Sequence, residues 1–182
     1  MTMKKYLFIL CLALLSAQCS TEKEDPFLIG KDRVGKLLKS HKVSDLETVF
    51  QADSLIRDTT RMNMGGNRKI EVYEKGGAHL LTLTPSQDSI PGIESVWIRD
   101  PRYKTVAGIG LEATYGEIEK AFEVRKVVSS LNNVLVLLKD NPLYFTISRE
   151  ELPGALKYSG TPVEALQIPD EARVKYAMVG WE

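Results

Sequence analysis

The stretch IESVWIRD (Ile93–Asp100) nearly returns as VEALQIPD (Val163–Asp170), about seventy residues further along the chain. Glu94, Ile98 and Asp100 recur as Glu164, Ile168 and Asp170. Ile93, Ser95 and Val96 have small or aliphatic counterparts in Val163, Ala165 and Leu166. Apolar residues alternate in the first copy, which predicts a strand, and the likeness extends that expectation to the second.

The comparison extends in both directions. Upstream, VSDLETVF (Val43–Phe50) lines up with YGEIEKAF (Tyr115–Phe122). Each places apolar groups at i, i+3 and i+4, the inward stripe of a short amphipathic helix. Ser44 with Glu47, and Thr114 with Glu117, have capping-box spacing, in which hydroxyl and carboxylate satisfy free backbone amides reciprocally. Leu55-Ile56 answers Val127-Val128. A hairpin follows in each half: Lys69–Thr84 around Gly76-Gly77, and Asn133–Ser148 around Asp140-Asn141-Pro142. Beyond the quoted stretches, Val106–Gly110 answers Tyr176–Gly180.

The expected architecture is therefore α+β: two tandem helix-plus-three-strand repeats, residues 27–105 and 106–182, forming one antiparallel sheet with the helices on one face. A single such unit leaves an apolar sheet face that it lacks the material to cover, and joining two solves this. Phe50 and Phe122 are expected under the helices, and the opposite sheet face is left for solvent or a partner.

The chain opens with MTMKKYLFILCLALLSAQCS, in which Lys4 and Lys5 precede a short apolar run from Tyr6 to Ala17. A bilayer span needs about 20 apolar residues, so residues 1–19 read as an export signal rather than a membrane helix. LLSAQC (Leu14–Cys19) resembles the lipobox of bacterial lipoproteins, which implies acylation of Cys19. It departs from that pattern at Ser16 and Gln18, and Ala17-Gln18-Cys19 also fits ordinary cleavage after a small residue. Of the two cysteines, Cys11 lies inside the apolar run, and none follows Cys19. The exported body thus has neither a disulfide nor a thiol nucleophile, and its stability must come from its core. Residues 20–26 hold Glu22, Glu24 and Asp25, a flexible acidic tether that is either plain linker or an export-sorting signal.

These expectations place the chain in a bacterial envelope, held to the outer membrane through a lipid. Basic and acidic side chains balance at 24 each, which excludes the basic excess a nucleic-acid partner requires. The oligomeric state is not legible.

A helical lead-in before a three-stranded meander on a lipoprotein resembles the small outer-membrane assembly lipoproteins of the SmpA/OmlA type. The residues that carry the likeness are Gly110, Thr114, Ile118 and Phe122. The first half departs from this pattern, with Lys42 near the position of the threonine. In tandem, such units resemble the beta-lactamase-inhibitor-protein fold, whose shared sheet grips another protein. The run RDPRYKT…GIGL (Arg99–Thr105, Gly108–Leu111) is also similar to one in uncharacterised secreted lipoproteins. These resemblances imply a non-enzymatic binding module for an envelope protein or a cell-wall component, with a structural subunit of an outer-membrane complex as the alternative.

Chemistry-bearing residues are few. His41 and His79 lie in different predicted elements, the first in an exposed turn and the second at a sheet edge, so no metal site or cofactor is expected. GIGLEATYG is glycine-rich before a helix, but lacks the Lys-Ser/Thr that would hold a nucleotide phosphate. Glu94 with Glu164, or Asp100 with Asp170, would make a minor case for a carboxylate hydrolase if the two halves brought them together. For binding, Trp97 points away from Val96 and Ile98 on an alternating strand, and Trp and Arg dominate interface hot spots. Trp97, Arg99, Arg102 and Tyr103 are the candidate contact residues. Asp100-Pro101 equally reads as a turn closing the strand.

Overall fold

Pro162 directly precedes the second copy of the quoted stretch and Pro169 lies inside it, and that decides the topology. The computed structural model describes residues 25–57 and 69–181. The export signal, Cys19 and the start of the tether lie outside them. The first copy is a strand, Ile93–Ile98, as expected. The second is a loop around a single 3-10 turn, Ala165–Gln167, in which the Gln167 side chain accepts from the Glu164 amide at 3.0 Å. Proline offers no amide to a ladder, and the sheet takes its strand from further along the chain.

In chain order the strands are β1 (Leu28–Ile29), β2 (Arg33–Val34), β3 (Leu37–Leu38), β4 (Asp53–Arg57), β5 (Ile70–Glu74), β6 (His79–Pro85), β7 (Ile93–Ile98), β8 (Lys104–Thr105), β9 (Val124–Ser129), β10 (Asn133–Leu138), β11 (Leu143–Ser148) and β12 (Val174–Gly180). A helix α1 (Tyr115–Ala121) lies between β8 and β9. A small sheet has the order β3-β2-β1-β8. The large one is antiparallel throughout, with the order β4-β5-β6-β7-β12-β11-β10-β9.

This corrects the expected fold. The described residues are mostly β, with two sheets and one real helix, and they do not form a pair of helix-plus-three-strand repeats. VSDLETVF gives only a 3-10 turn (Val43–Asp45) and one helical turn (Leu46–Val49), because Asp53 already opens β4. Its start is secured by Asp45, whose carboxylate accepts from the Lys42 amide at 2.8 Å, and not by the Ser44–Glu47 pair. The equivalence of Val106–Gly110 with Tyr176–Gly180 also fails. The former is a turn after β8 with Gly108 at φ 79°, whereas the latter lies within β12. The predicted hairpins are present: Gly76 and Gly77 take φ 119° and 102° between β5 and β6, and Asp140 takes φ 50° between β10 and β11.

One face of the large sheet is covered. Val72, Leu81, Val96, Ala177, Phe145 and Val136 alternate inward and are fully buried. Over them lie Tyr115 and Ile118 of α1, Ile29, Val34 and Leu37 of the small sheet, and Leu152, Val163 and Ile168 of the late loops, in one continuous apolar cluster. α1 opens with the expected capping box: Glu117 accepts from the Thr114 amide at 2.9 Å, and Thr114 accepts from the Glu117 amide at 3.4 Å. Phe50 is buried, which contributes about 2–3 kcal/mol. Phe122 is only half-buried and lines a groove with Ile29, Val106 and Leu143.

Two local devices hold the covering layer. Gly35 takes φ 57°, and any Cβ there would collide with the Pro26 carbonyl, so the chain doubles back tightly against the small sheet. Buried Arg149 donates to the carbonyls of Ser130, Leu156, Ser159 and Thr161 at 2.8–2.9 Å, tying the loop after β11 to the sheet.

Candidate functional site

The outward face of the large sheet is built by register. One transverse row crosses all eight strands: Ile56, Glu71, Thr82, Trp97, Met178, Tyr144, Leu137 and Lys126 are successive cross-strand partners. The next row places Arg99, Tyr176, Thr146, Leu135 and Val128 alongside it. An antiparallel sheet with one wet face ordinarily alternates apolar-in with polar-out. Here the outward positions from β7 to β9 are themselves largely aromatic or aliphatic. Trp97, Met178, Tyr144, Leu137 and Leu135 are half-buried and keep part of their surface in water. Contiguous exposed apolar surface is uncommon on the outside of a folded domain.

Trp97 sits at the middle of this face. Its ring stacks on Tyr176 with centroids 5.4 Å apart. Two cations lie over it, the Arg99 guanidinium at 4.5 Å and Lys69 Nζ at 5.1 Å. Lys175 Nζ lies 5.4 Å from the Tyr176 ring. Such contacts hold cations over an apolar floor at about 0.5–1 kcal/mol each when exposed.

A polar cluster adjoins it. Thr82 Oγ1 donates to Glu71 Oε2 and accepts from Arg99 Nε at 3.0 Å. His79 Nε2 lies 2.8 Å from the same carboxylate oxygen, and the imidazole stacks on Tyr73 with centroids 4.5 Å apart. This is not a catalytic relay. Glu71 and Thr82 both approach Nε2, whereas a nucleophile–base–acid chain runs through the two nitrogens of the ring. Thr82 is also buried. The cluster fixes Arg99 beside Trp97.

The four candidate contact residues do not come together. Trp97 and Arg99 share the outward face, but Arg102 and Tyr103 belong to the covered side. Tyr103 is buried, edge-on to Phe27 at 5.1 Å, and burial pushes its phenol well above the usual range. Arg102 lies 4.3 Å over the Phe27 ring and donates to Asp100 at 2.9 Å and to Glu74 at 2.9 and 3.1 Å. Its hydrogen bonds hold both carboxylates below their ordinary values. RDPRYK is thus the expected turn, pinned onto the small sheet.

Nor do the carboxylates hold matching places. Glu94 is on β7, whereas Glu164 precedes a 3-10 turn; Asp100 is locked by Arg102, whereas Asp170 lies against Gly116 of α1. His79 lies in the sheet interior, between β5 and β7, rather than at an edge. His41 accepts from the Leu38 amide at 3.0 Å. Among the described residues, no group of three His, Cys, Asp or Glu side chains is placed to hold a metal.

Sequence reasoning missed Tyr176 and Met178, the outward residues of β12 beside Trp97, and Tyr144 and Leu137 further along the row. The period-two pattern of VKYAMVG (Val174–Gly180) was the available signal, with Ala177 and Val179 inward and Tyr176 and Met178 outward.

No protein-family model and no curated protein matches the chain. Among solved structures it is similar to the crystal structure of the uncharacterized protein yfeY from Escherichia coli. The TM-score is 0.56 at 12% identity, over 84% of this chain and 99% of that one. At this identity the likeness concerns the fold alone. The resemblance to outer-membrane assembly lipoproteins accordingly rests on the residues quoted for it.

Proposed function

We propose that this protein is a non-enzymatic binding module of the bacterial envelope, anchored through an acylated Cys19, which engages a partner protein through the outward face of its large sheet. The observation that supports this is the row Trp97–Met178–Tyr144–Leu137, an apolar and aromatic strip on the face opposite the one the rest of the molecule covers. Trp and Tyr supply large contact areas at low entropic cost, and an Arg beside them is the composition of a hot spot.

A photo-crosslinking residue placed at Met178 tests the reading in intact envelopes. It should give a discrete protein adduct, and the same residue at Lys120, exposed on α1, should not. Adducts from Lys120 with none from Met178 would overturn it. Separately, a fatty-acid analogue should label the wild type and not Cys19→Ala; an unlabelled wild type removes the anchor.

A further inference from the structure

Several basic side chains elsewhere on the described part of the molecule pair with carboxylates, and four on the outward face do not. Among the described residues, Lys36 pairs with Asp53, Arg57 with Glu47, Arg102 with Glu74 and Asp100, Lys104 with Glu112, and Lys139 with Glu123. Lys69, Arg99, Lys175 and Lys126 take part in none of these pairs. Two of them lie over Trp97, one over Tyr176, and Lys126 ends the transverse row on β9. The register puts one carboxylate among them, Glu71, and that carboxylate is already engaged by Thr82 and His79. The bare apolar face thus carries four basic side chains against one engaged carboxylate, a local positive excess on a chain that is neutral as a whole. Cations over a low-dielectric floor focus their field outward and select the opposite charge.

We infer that the partner segment bound by this face is an acidic stretch of protein, whose carboxylates pair with Lys69, Arg99, Lys175 and Lys126 while its apolar side chains cover the strip around Trp97. The inference rests on the proposed binding role of this face and names the chemistry of its occupant. Nucleic acid fits less well. Its bases need an open aromatic ring to stack on, and Trp97 is already stacked with Tyr176 and covered by Arg99 and Lys69. The whole chain also lacks a basic excess.

The test uses Trp181→Phe, which leaves Trp97 as the sole tryptophan, since Trp181 is buried in the core. A soluble poly-glutamate peptide should change Trp97 emission, and binding should weaken as salt is raised. Lys69→Gln with Lys126→Gln should weaken it about tenfold. Neither ammonium pairs with a carboxylate, so the variant should keep the wild-type circular dichroism. Poly-glutamate that leaves the emission unchanged while Met178 still crosslinks a protein overturns the acidic partner and leaves the binding face standing. Silence in both experiments removes both. Equal binding of a single-stranded oligonucleotide, or binding indifferent to the double substitution, also overturns the inference.

Discussion

Trp97 and Met178 face each other across the one pairing, β7 with β12, that joins the first four strands of the large sheet to the last four. The residue beside Met178 is Ala177, fully buried and paired with Ile98 on the inner face. The seam therefore alternates between a side that tolerates volume and one that does not. Ala177→Leu should cost about 1–3 kcal/mol through overpacking. Met178→Leu should stay within about 0.5 kcal/mol, as an outward substitution. Urea unfolding of the two variants checks this, and equal midpoints would contradict the register.

The loop that replaces the expected second strand makes an equally sharp contrast. On a strand Leu166 and Ile168 would share a face, yet Leu166 is 97% exposed and Ile168 only 4%. Ile168→Ala should cost about 2–4 kcal/mol, as a core truncation. Leu166→Ser should be near neutral, within about 0.5 kcal/mol. Comparable losses in thermal or urea unfolding would restore the strand.

These residues show where local pattern is enough to read a fold. The hairpins were legible because Gly76-Gly77 and Asp140-Asn141-Pro142 fix turns through their own backbone preferences. The α1 cap was legible because Thr114 and Glu117 satisfy each other locally. The partner of β7 was not, because it is set by long-range pairing. VEALQIPD matched β7 in letters, while Pro162 and Pro169 forbade a ladder and Glu164 with Gln167 had the spacing of a cap. Val174–Gly180 pairs with β7, which lies about eighty residues earlier in the chain, so local pattern does not reveal its partner. On the outward face, Trp97 and Arg99 stand two residues apart in sequence and could be read together. Tyr176 and Lys69 reach Trp97 only through the sheet. The opposite error, grouping Tyr103 with them, arose because a turn reverses the chain between Arg99 and Tyr103.

The Arg102 cluster predicts a dependence on pH. In the folded protein Asp100 and Glu74 ionise below their ordinary values of 3.8 and 4.5, because Arg102 donates hydrogen bonds to both. The unfolded chain thus binds protons first as acid is added. The stability from these pairs is complete above the unfolded values and drains as pH falls through the lower folded ones. Arg102→Gln should lower stability at neutral pH and flatten its decline between about pH 5 and pH 2. Stability measured by urea across that range decides it; a wild-type acid slope retained in Arg102→Gln would refute the assignment.

Arg149 is a buried cation whose hydrogen-bond partners are main-chain carbonyls. It donates to Ser130 on one side and to Leu156, Ser159 and Thr161 on the other. Removing it leaves those carbonyls without a donor, and a lone ammonium does not reproduce the planar fork. Arg149→Met should therefore cost about 2–4 kcal/mol. The damage should centre on the loop it holds, because Gly154–Lys157 is a single 3-10 turn with no buried residue of its own. Tyr158 next to it is already exposed, so trypsin cleavage after Lys157 should accelerate well before global unfolding. Cleavage at Lys157 unchanged in Arg149→Met, with an unaltered urea midpoint, would show that the loop is held by its apolar contacts through Leu152 and Val163 instead.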